Sequence, residues 1–210
     1  ALLCNTIGDN NIAIGCGASA LSVNAARNTA IGTQALYCNS FASETSGYNN
    51  AIGFNAMRNN ASGQYNEAVG SFALSSLSTG GGNIGIGYAA GNNVTSGSRN
   101  VVVGSNALQS VTNQVDNVAI GTQALRCNEA NFNTVVGSYA GYNTSTGGYN
   151  VAMGACALCS NTTGVYNTAI GYQALRLATT GYQNTAVGSE ALCKNTSGQS
   201  NTAVGHRALC

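Results

Sequence analysis

Proline and tryptophan are absent from the 210-residue sequence, and charged side chains make up only 6% of it. Seven Lys and Arg against six Asp and Glu leave a net charge of +1. A nucleic-acid-binding protein needs several clustered cations to neutralise phosphates, and these seven are scattered. Apolar residues come in threes and fours, whereas a membrane-spanning helix needs about 20 in succession. The sequence therefore predicts no nucleic-acid partner and no membrane span.

The remaining composition is that of an ordered, nearly uncharged chain. It is 44% hydrophobic and contains 28 glycines. Disorder usually accompanies low hydrophobicity and high net charge, which is the reverse of this pattern. Such a composition is typical of a repetitive fibre and unusual for an enzyme.

A repeat of the form N-x-A-[IV]-G-x-x-A-L covers the whole chain. Nine of the eleven intervals between its anchoring glycines are 17 residues, one is 21 and one is 16. An alanine follows each glycine by three residues, and an asparagine precedes each by four. We expect these asparagines to form a ladder along the stacked repeats: Asn11, Asn28, Asn49, Asn66, Asn83, Asn100, Asn117, Asn133, Asn150, Asn167, Asn184 and Asn201.

A period of 17 residues favours one coil of a β-solenoid, because helical-hairpin repeats need about 30 to 45 residues. The segment N-x-A-I-G reads as a strand with alternating faces. Its glycine permits a turn, and a polar Asn-Thr-Ser-Gly stretch returns the chain. We therefore predict an all-β fold with residues 1–210 as one domain of about twelve coils. It begins and ends mid-repeat and forms a rod about 60 Å long.

The two strand faces predict different neighbours. We expect the bulky residues before the glycines, such as Ile14, Ile31, Ile52 and Val69, to point into the coil and meet the leucines. Position x, frequently threonine, would share this inward face. The alanine face is flat, and we expect it at a contact between chains.

The pattern N-T-A-I-G-x-x-A-L-x-x-N-T-S-G resembles repeats in phage and viral tail-fibre-domain proteins. With longer coils, it also resembles the S-V-A-I-G head repeats of trimeric autotransporter adhesins. The best matches are residues 28–36, 167–175, 184–192 and 201–209. The resemblance implies a left-handed β-roll, a homotrimer around a long axis and a role in surface attachment. It implies no catalytic residues, and the eight cysteines depart from such fibres, which usually avoid them.

Catalytic and metal-binding residues are not predicted. A glycosidase needs two carboxyl groups about 5 to 10 Å apart, and no two carboxylates lie one coil apart at the same repeat position. His206 is the only histidine, which argues against a Ser-His-Asp triad. Calcium-binding rolls need a recurring aspartate, which is missing. We expect no cofactor, no metal and no enzymatic activity.

The cysteines leave alternatives open. Cys193 and Cys210 lie one coil apart at the same position, so their Cα atoms are expected about 5 Å apart, within disulfide range. Most of the eight could instead be small buried residues. Cys156 and Cys159 have metal-like spacing but lack the two further ligands of a structural zinc.

Tyrosines form a faint stripe, since Tyr48, Tyr65, Tyr149 and Tyr166 each lie five residues before a repeat glycine. They could contact a glycan, or they could be a structural ladder that covers a turn. Five N-glycosylation sequons occur within one residue of a common repeat position, where outward-facing acceptors are one interpretation and turn chemistry is the other. They begin at Asn60, Asn93, Asn143, Asn161 and Asn195.

The sequence predicts a structural, adhesive fibre segment on a virion or cell surface, acting as a rigid extracellular shaft that presents its turns to a receptor. The expected partners are further copies of the chain and a cell-surface glycan. The alternative is a subunit of a self-polymerising filament joined end to end. A polysaccharide-acting β-helix enzyme is the third hypothesis.

Overall fold

The chain folds as a parallel β-solenoid of about eleven turns in a computed structural model, which describes residues 1–3, 8–39, 47–110 and 112–210. The described part contains no helix, and therefore none that could cross a membrane. This confirms the predicted all-β solenoid. The strands, in sequence order, are β1 (Ile12–Ile14), β2 (Thr29–Ile31), β3 (Asn50–Ile52), β4 (Glu67–Val69), β5 (Ile84–Ile86), β6 (Val101–Val103), β7 (Val118–Ile120), β8 (Thr134–Val136), β9 (Val151–Met153), β10 (Thr168–Ile170), β11 (Thr185–Val187) and β12 (Thr202–Val204).

All twelve strands pair in register with their sequence neighbours in one parallel sheet. Thr168 pairs with Thr185, one 17-residue repeat later. The register survives both irregular intervals, because Ile31 pairs with Ile52 and Val118 pairs with Thr134. At about 4.8 Å per strand, the eleven steps give a sheet about 53 Å long.

The predicted assignment of the two strand faces is wrong. The middle residue of each strand faces the interior: Ala30, Ala51 and Ala119 are fully buried. The residue before each glycine faces outward, and Ile14 is 59% exposed and Ile52 41% exposed. Position x is exposed or half-buried on that same outer face, so its threonines need no buried partner.

The narrow width of the coil explains the reversal. The leucines do point inward as expected, and they fill the coil from the wall opposite the strand, with Leu36, Leu108 and Leu125 fully buried. A leucine and an alanine fill the space between these two walls, whereas two bulky side chains would overpack it. Where the leucine position holds Gly91, the facing strand of the next coil carries the larger Val102 in place of alanine.

The repeat glycines let successive coils approach closely. Gly104 has φ of 131°, and a Cβ atom on it would lie 2.5 Å from the carbonyl oxygen of Gly121. The turns after the glycines also use left-handed backbone at non-glycine residues, including Leu108 and Leu125 in the core. This conformation costs an L-residue about 1 to 2 kcal/mol, so packing and hydrogen bonds between coils must stabilise it.

Candidate functional site

The repeat asparagines form one continuous column inside the rod. The backbone amide of Asn117 donates to Oδ1 of Asn100 at 3.1 Å, and its side-chain Nδ2 donates to the carbonyl of Ala130 at 3.0 Å. The amide contact recurs between all eleven consecutive pairs, at 2.9–3.1 Å. Each asparagine thereby satisfies the backbone of a neighbouring coil, which is a structural role.

The outward strand face is defined here as position x and the residue before each repeat glycine. The residue before the glycine is isoleucine, valine or methionine in all twelve coils, whereas position x is polar in seven of them. Ile86 is 41% exposed, Met153 43% and Ile170 38%. Aromatic rings border this face at β3 to β5, where Phe72 makes edge contacts with Phe54 and Tyr88 at centroid distances of 5.2 and 6.1 Å. Exposed apolar patches of several hundred Å² mark interaction surfaces.

The tyrosine stripe is a set of face-to-face stacks. Tyr48 and Tyr65 stack at 5.1 Å with planes 9° apart, and Tyr149 stacks between Phe132 and Tyr166 at 4.9 and 5.2 Å. Stacking covers the inner faces, so ring edges and the terminal faces remain for a ligand. Arg27 covers the outer face of Tyr48, with its guanidinium 5.3 Å from the ring centroid.

The outer face of Tyr65 adjoins a position without a side chain. The residue one coil later is Gly82, whereas Tyr166 is followed at that position by Gln183. Tyr65 is 61% exposed, more than any other described tyrosine. The geometry makes Tyr65 the most accessible ring face of the stripe.

The sequons do not share one orientation. Asn60 and Asn161 are fully buried, and Nδ2 of Asn161 donates to the carbonyl of Gly164 at 3.1 Å. Asn93 and Asn143 lie one residue earlier in the repeat and are exposed. The interpretation of the sequons as outward-facing acceptors is therefore wrong for Asn60 and Asn161, whose side chains point inward and leave the turn-chemistry interpretation.

Cys193 and Cys210 form a disulfide between neighbouring coils, with Cα atoms 5.2 Å apart. The expectation that most cysteines are small buried residues fails among the free cysteines described, since Cys16 is exposed and the others are half-buried. Partial burial, reinforced by the neighbouring thiol of Cys156, raises the pKa of Cys159. Cys4 lies outside the described residues.

A depression of about 460 Å³ adjoins this disulfide, and it is called the corner pocket below. Nε of Arg207 donates to Oε2 of Glu190 at 2.8 Å across it. That hydrogen bond lowers the pKa of the Glu190 carboxyl group. Its lining residues are Gln173, Arg176, Glu190, Cys193, Lys194, Arg207 and Cys210.

A second ion pair links Arg99 to Asp116, with Nε–Oδ1 and Nη2–Oδ2 distances of 2.7 and 2.8 Å. The hydrogen bond from Arg99 lowers the pKa of Asp116. Both pairs are exposed. His206 is exposed on a turn and contributes, less than Arg207, to the lowered pKa of Glu190.

No protein-family model, curated protein or solved structure matches the chain. The family resemblance and the function that it implies therefore stay predictions.

Sequence reasoning missed both ion pairs and the corner pocket. Their signal is present in the numbering, since Arg99 precedes Asp116, and Glu190 precedes Arg207, by one 17-residue period. Testing opposite charges for that spacing would have found them, whereas the comparison of carboxylates only with each other did not.

Proposed function

We propose that the chain is a segment of a structural, adhesive fibre on a virion or cell surface. It acts as a rigid extracellular shaft, a left-handed β-roll that assembles as a homotrimer around its long axis. The observation that carries this proposal is the outward strand face, whose row of isoleucine, valine and methionine side chains before the repeat glycines follows the in-register sheet from β1 to β12.

The size of this face suits self-association. Three strand residues span about 10 Å, so a face about 53 Å long offers roughly 500 Å² per copy. Three such faces packed around one axis bury about 1,500 Å² in all, and a specific interface needs about 1,000 Å². The bordering rings of Phe54 and Tyr88 extend the apolar area further. An isoleucine row facing a second copy replaces the alanine contact that the sequence predicted.

The test is the native mass of the protein with and without a charge on this face. Wild type should have three times the 21.0 kDa of one chain. Ile86→Lys combined with Ile170→Lys should dissociate it, because each lysine would be desolvated at the contact. Ser96→Lys, on an exposed polar turn, is the matched control and should leave the mass unchanged. A wild-type monomer at all concentrations would refute the assembly.

The receptor proposed for the shaft is a glycan, and Tyr65 is the contact that its geometry favours. A sugar ring packs its C–H face on an open aromatic face. Gly82 leaves the position beside Tyr65 without a side chain, and Arg99 of the following coil borders this space, with its Cγ 3.6 Å from where a Cβ atom of residue 82 would lie. Gly82 has φ of 70°, the left-handed backbone that Gln183 also adopts at this position with φ of 55°. Filling the space with a side chain is therefore compatible with the fold.

A glycan array tests this contact with three variants. Gly82→Gln and Tyr65→Ala should each abolish the signal, the first by blocking the ring face and the second by removing it. Gln183→Gly should add a second, equivalent site beside Tyr166. Glycan binding that survives both Gly82→Gln and Tyr65→Ala would exclude this contact.

The second candidate function is a self-polymerising filament. The strands pair in parallel and in register along the whole sheet, and the same strand pairing between copies would extend it end to end. Electron microscopy distinguishes the two functions. Rods of one fixed length support the shaft, and filaments of indefinite length support end-to-end polymerisation.

A further inference from the structure

Three arginines occupy the same position of the repeat, five residues after its glycine, but only two have a partner for Nε. Nε of Arg58 donates to Oε1 of Gln34 at 3.0 Å, and Nε of Arg126 donates to Oε1 of Gln109 at 3.0 Å. Nε of Arg176 is buried and has no acceptor among the residues that the structure describes. A buried donor without an acceptor costs about 1 to 3 kcal/mol.

The cause lies in the preceding coil. Arg58 and Arg126 each reach back to a glutamine, whose carbonyl oxygen accepts the Nε–H. The coil before Arg176 carries Cys156 and Cys159 at the two equivalent positions. A thiol is a weak acceptor, so the Arg176 guanidinium keeps a donor that no protein group uses.

This guanidinium borders the corner pocket together with two further cations. Lys194 is exposed at its rim, and Arg207 is already paired with Glu190. Three cationic side chains and one carboxylate side chain give the pocket a formal side-chain charge of +2, in a chain whose side chains total +1. Three of the seven basic residues of the chain thus line one depression, and the rest of the chain has a net charge of −1.

We propose that the corner pocket binds an oxyanion, the sulfate, phosphate or carboxylate group of a small acidic ligand such as an acidic sugar. Arg176 lines the pocket, and the terminal nitrogens of its guanidinium supply the directional donors, since Nε itself is buried. Lys194 adds a flexible charge at the rim. Glu190 does not repel the ligand strongly, since Arg207 neutralises it. The Cys193–Cys210 disulfide joins the coil that carries Glu190 and Lys194 to the coil that carries Arg207.

A metal ion is the competing occupant, since Glu190, Cys193 and Cys210 place ligand atoms within 4.8 Å of one another. Both sulfur atoms are already joined in the disulfide, and a metal needs thiolates. Three neighbouring cations also oppose a second positive charge. The same residues therefore favour an anion.

Calorimetric titration of the full chain at fixed ionic strength tests the site. The probes are glucose 6-sulfate, glucuronate, inorganic sulfate and neutral glucose. We expect saturable binding of the anions, with one site per chain, and none of glucose. Arg176→Gln should weaken binding at least tenfold. Arg58→Gln removes the same group at the same repeat position in another coil, and it should change the affinity less than twofold.

Comparing the anionic probes shows whether the ligand is an acidic sugar or a free oxyanion. Tighter binding of glucose 6-sulfate than of inorganic sulfate identifies an acidic sugar, and equal binding identifies a free oxyanion; both outcomes support the site. The absence of saturable binding, or equal losses in Arg176→Gln and Arg58→Gln, overturns it. Melting temperatures of both variants show that they are folded. The native mass does not involve this pocket, so failure here leaves the shaft proposal standing.

Discussion

Val135 and Gly141 face each other across the interior of a single coil, and a Cβ atom on Gly141 would lie 3.4 Å from Cγ2 of Val135. Most other coils place an alanine and a leucine at these two positions. The larger strand residue therefore occupies space that a leucine fills elsewhere.

Substitutions that exchange the side-chain sizes at Val135 and Gly141 should be tolerated only when both are made together. Val135→Ala alone should cost about 2 to 3 kcal/mol through a cavity. Gly141→Leu alone should cost about 1 to 3 kcal/mol through overpacking, since its Cβ atom would lie 2.9 Å from Cδ2 of Leu125. The double variant restores the common pair, so it should recover at least 1 kcal/mol relative to the sum. Urea denaturation measures this, and strict additivity would contradict the packing described.

The asparagine column should be the most sensitive polar feature. Asn117→Ala removes the acceptor of the Asn133 amide and the donor to the carbonyl of Ala130. Two buried groups lose their partners, so the free energy of unfolding should fall by about 2 to 4 kcal/mol. Asn93→Ala, at an exposed position, should change it by less than about 0.5 kcal/mol. Similar losses in the two variants would show that the column contributes little.

Replacing an exposed turn residue that has left-handed backbone by glycine should stabilise the fold. Gln183 is exposed with φ of 55°, so Gln183→Gly should raise the free energy of unfolding by about 1 kcal/mol. Gln199 is also exposed but lies outside this backbone region. Gln199→Gly should therefore destabilise by about 0.5 to 1 kcal/mol. Thermal denaturation of both variants shows whether each substitution raises or lowers the free energy of unfolding. A lower free energy of unfolding in Gln183→Gly would refute the turn conformation.

The two ion pairs should make the stability of the fold depend on pH in the acidic range. Because the folded-state pKa values of Asp116 and Glu190 are lowered, their contribution is present above the unfolded-state values of about 4. It is lost as the pH falls through the lower folded-state values. The loss should be small, since both pairs are exposed. In the double variant Asp116→Asn with Glu190→Gln, the melting temperature should fall less steeply with decreasing pH below pH 4 than in the wild type. An equally steep fall in both proteins would contradict this assignment.

The sequence was sufficient to predict the period of the repeat, the strand in each repeat and the stacking of successive repeats. It failed on which strand face is buried, because alternation separates two faces without saying which one faces the core. Hydrophobicity favours placing isoleucine inside. The leucine on the opposite wall leaves room only for a small residue, so the alanine face is buried instead. The position of that leucine depends on the geometry of the turn, which the sequence does not show.

The corner pocket illustrates a second limit. The 17-residue spacing places Glu190 beside Arg207, and that contact could have been predicted. The missing partner of Arg176 could not, because it depends on how far each side chain reaches between coils. Arg58 donates to Gln34 at one repeat position of the preceding coil, whereas Arg126 donates to Gln109 at a different repeat position.

Stacking of successive repeats, the basis of every proposal above, is tested most directly by spin-label distances within one chain. Ser62, Ser96 and Ser197 occupy one exposed position of three different coils. Cysteines at these positions, in a background with the native cysteines changed to serine, carry the labels. Each labelled chain is diluted with unlabelled protein.

At about 4.8 Å per coil, the six coils from Ser96 to Ser197 predict a separation of about 29 Å. The eight coils from Ser62 to Ser197 predict about 38 Å. Pulsed electron paramagnetic resonance should give these two distances in proportion to the number of coils. Separations that do not increase with the number of intervening repeats would contradict the solenoid.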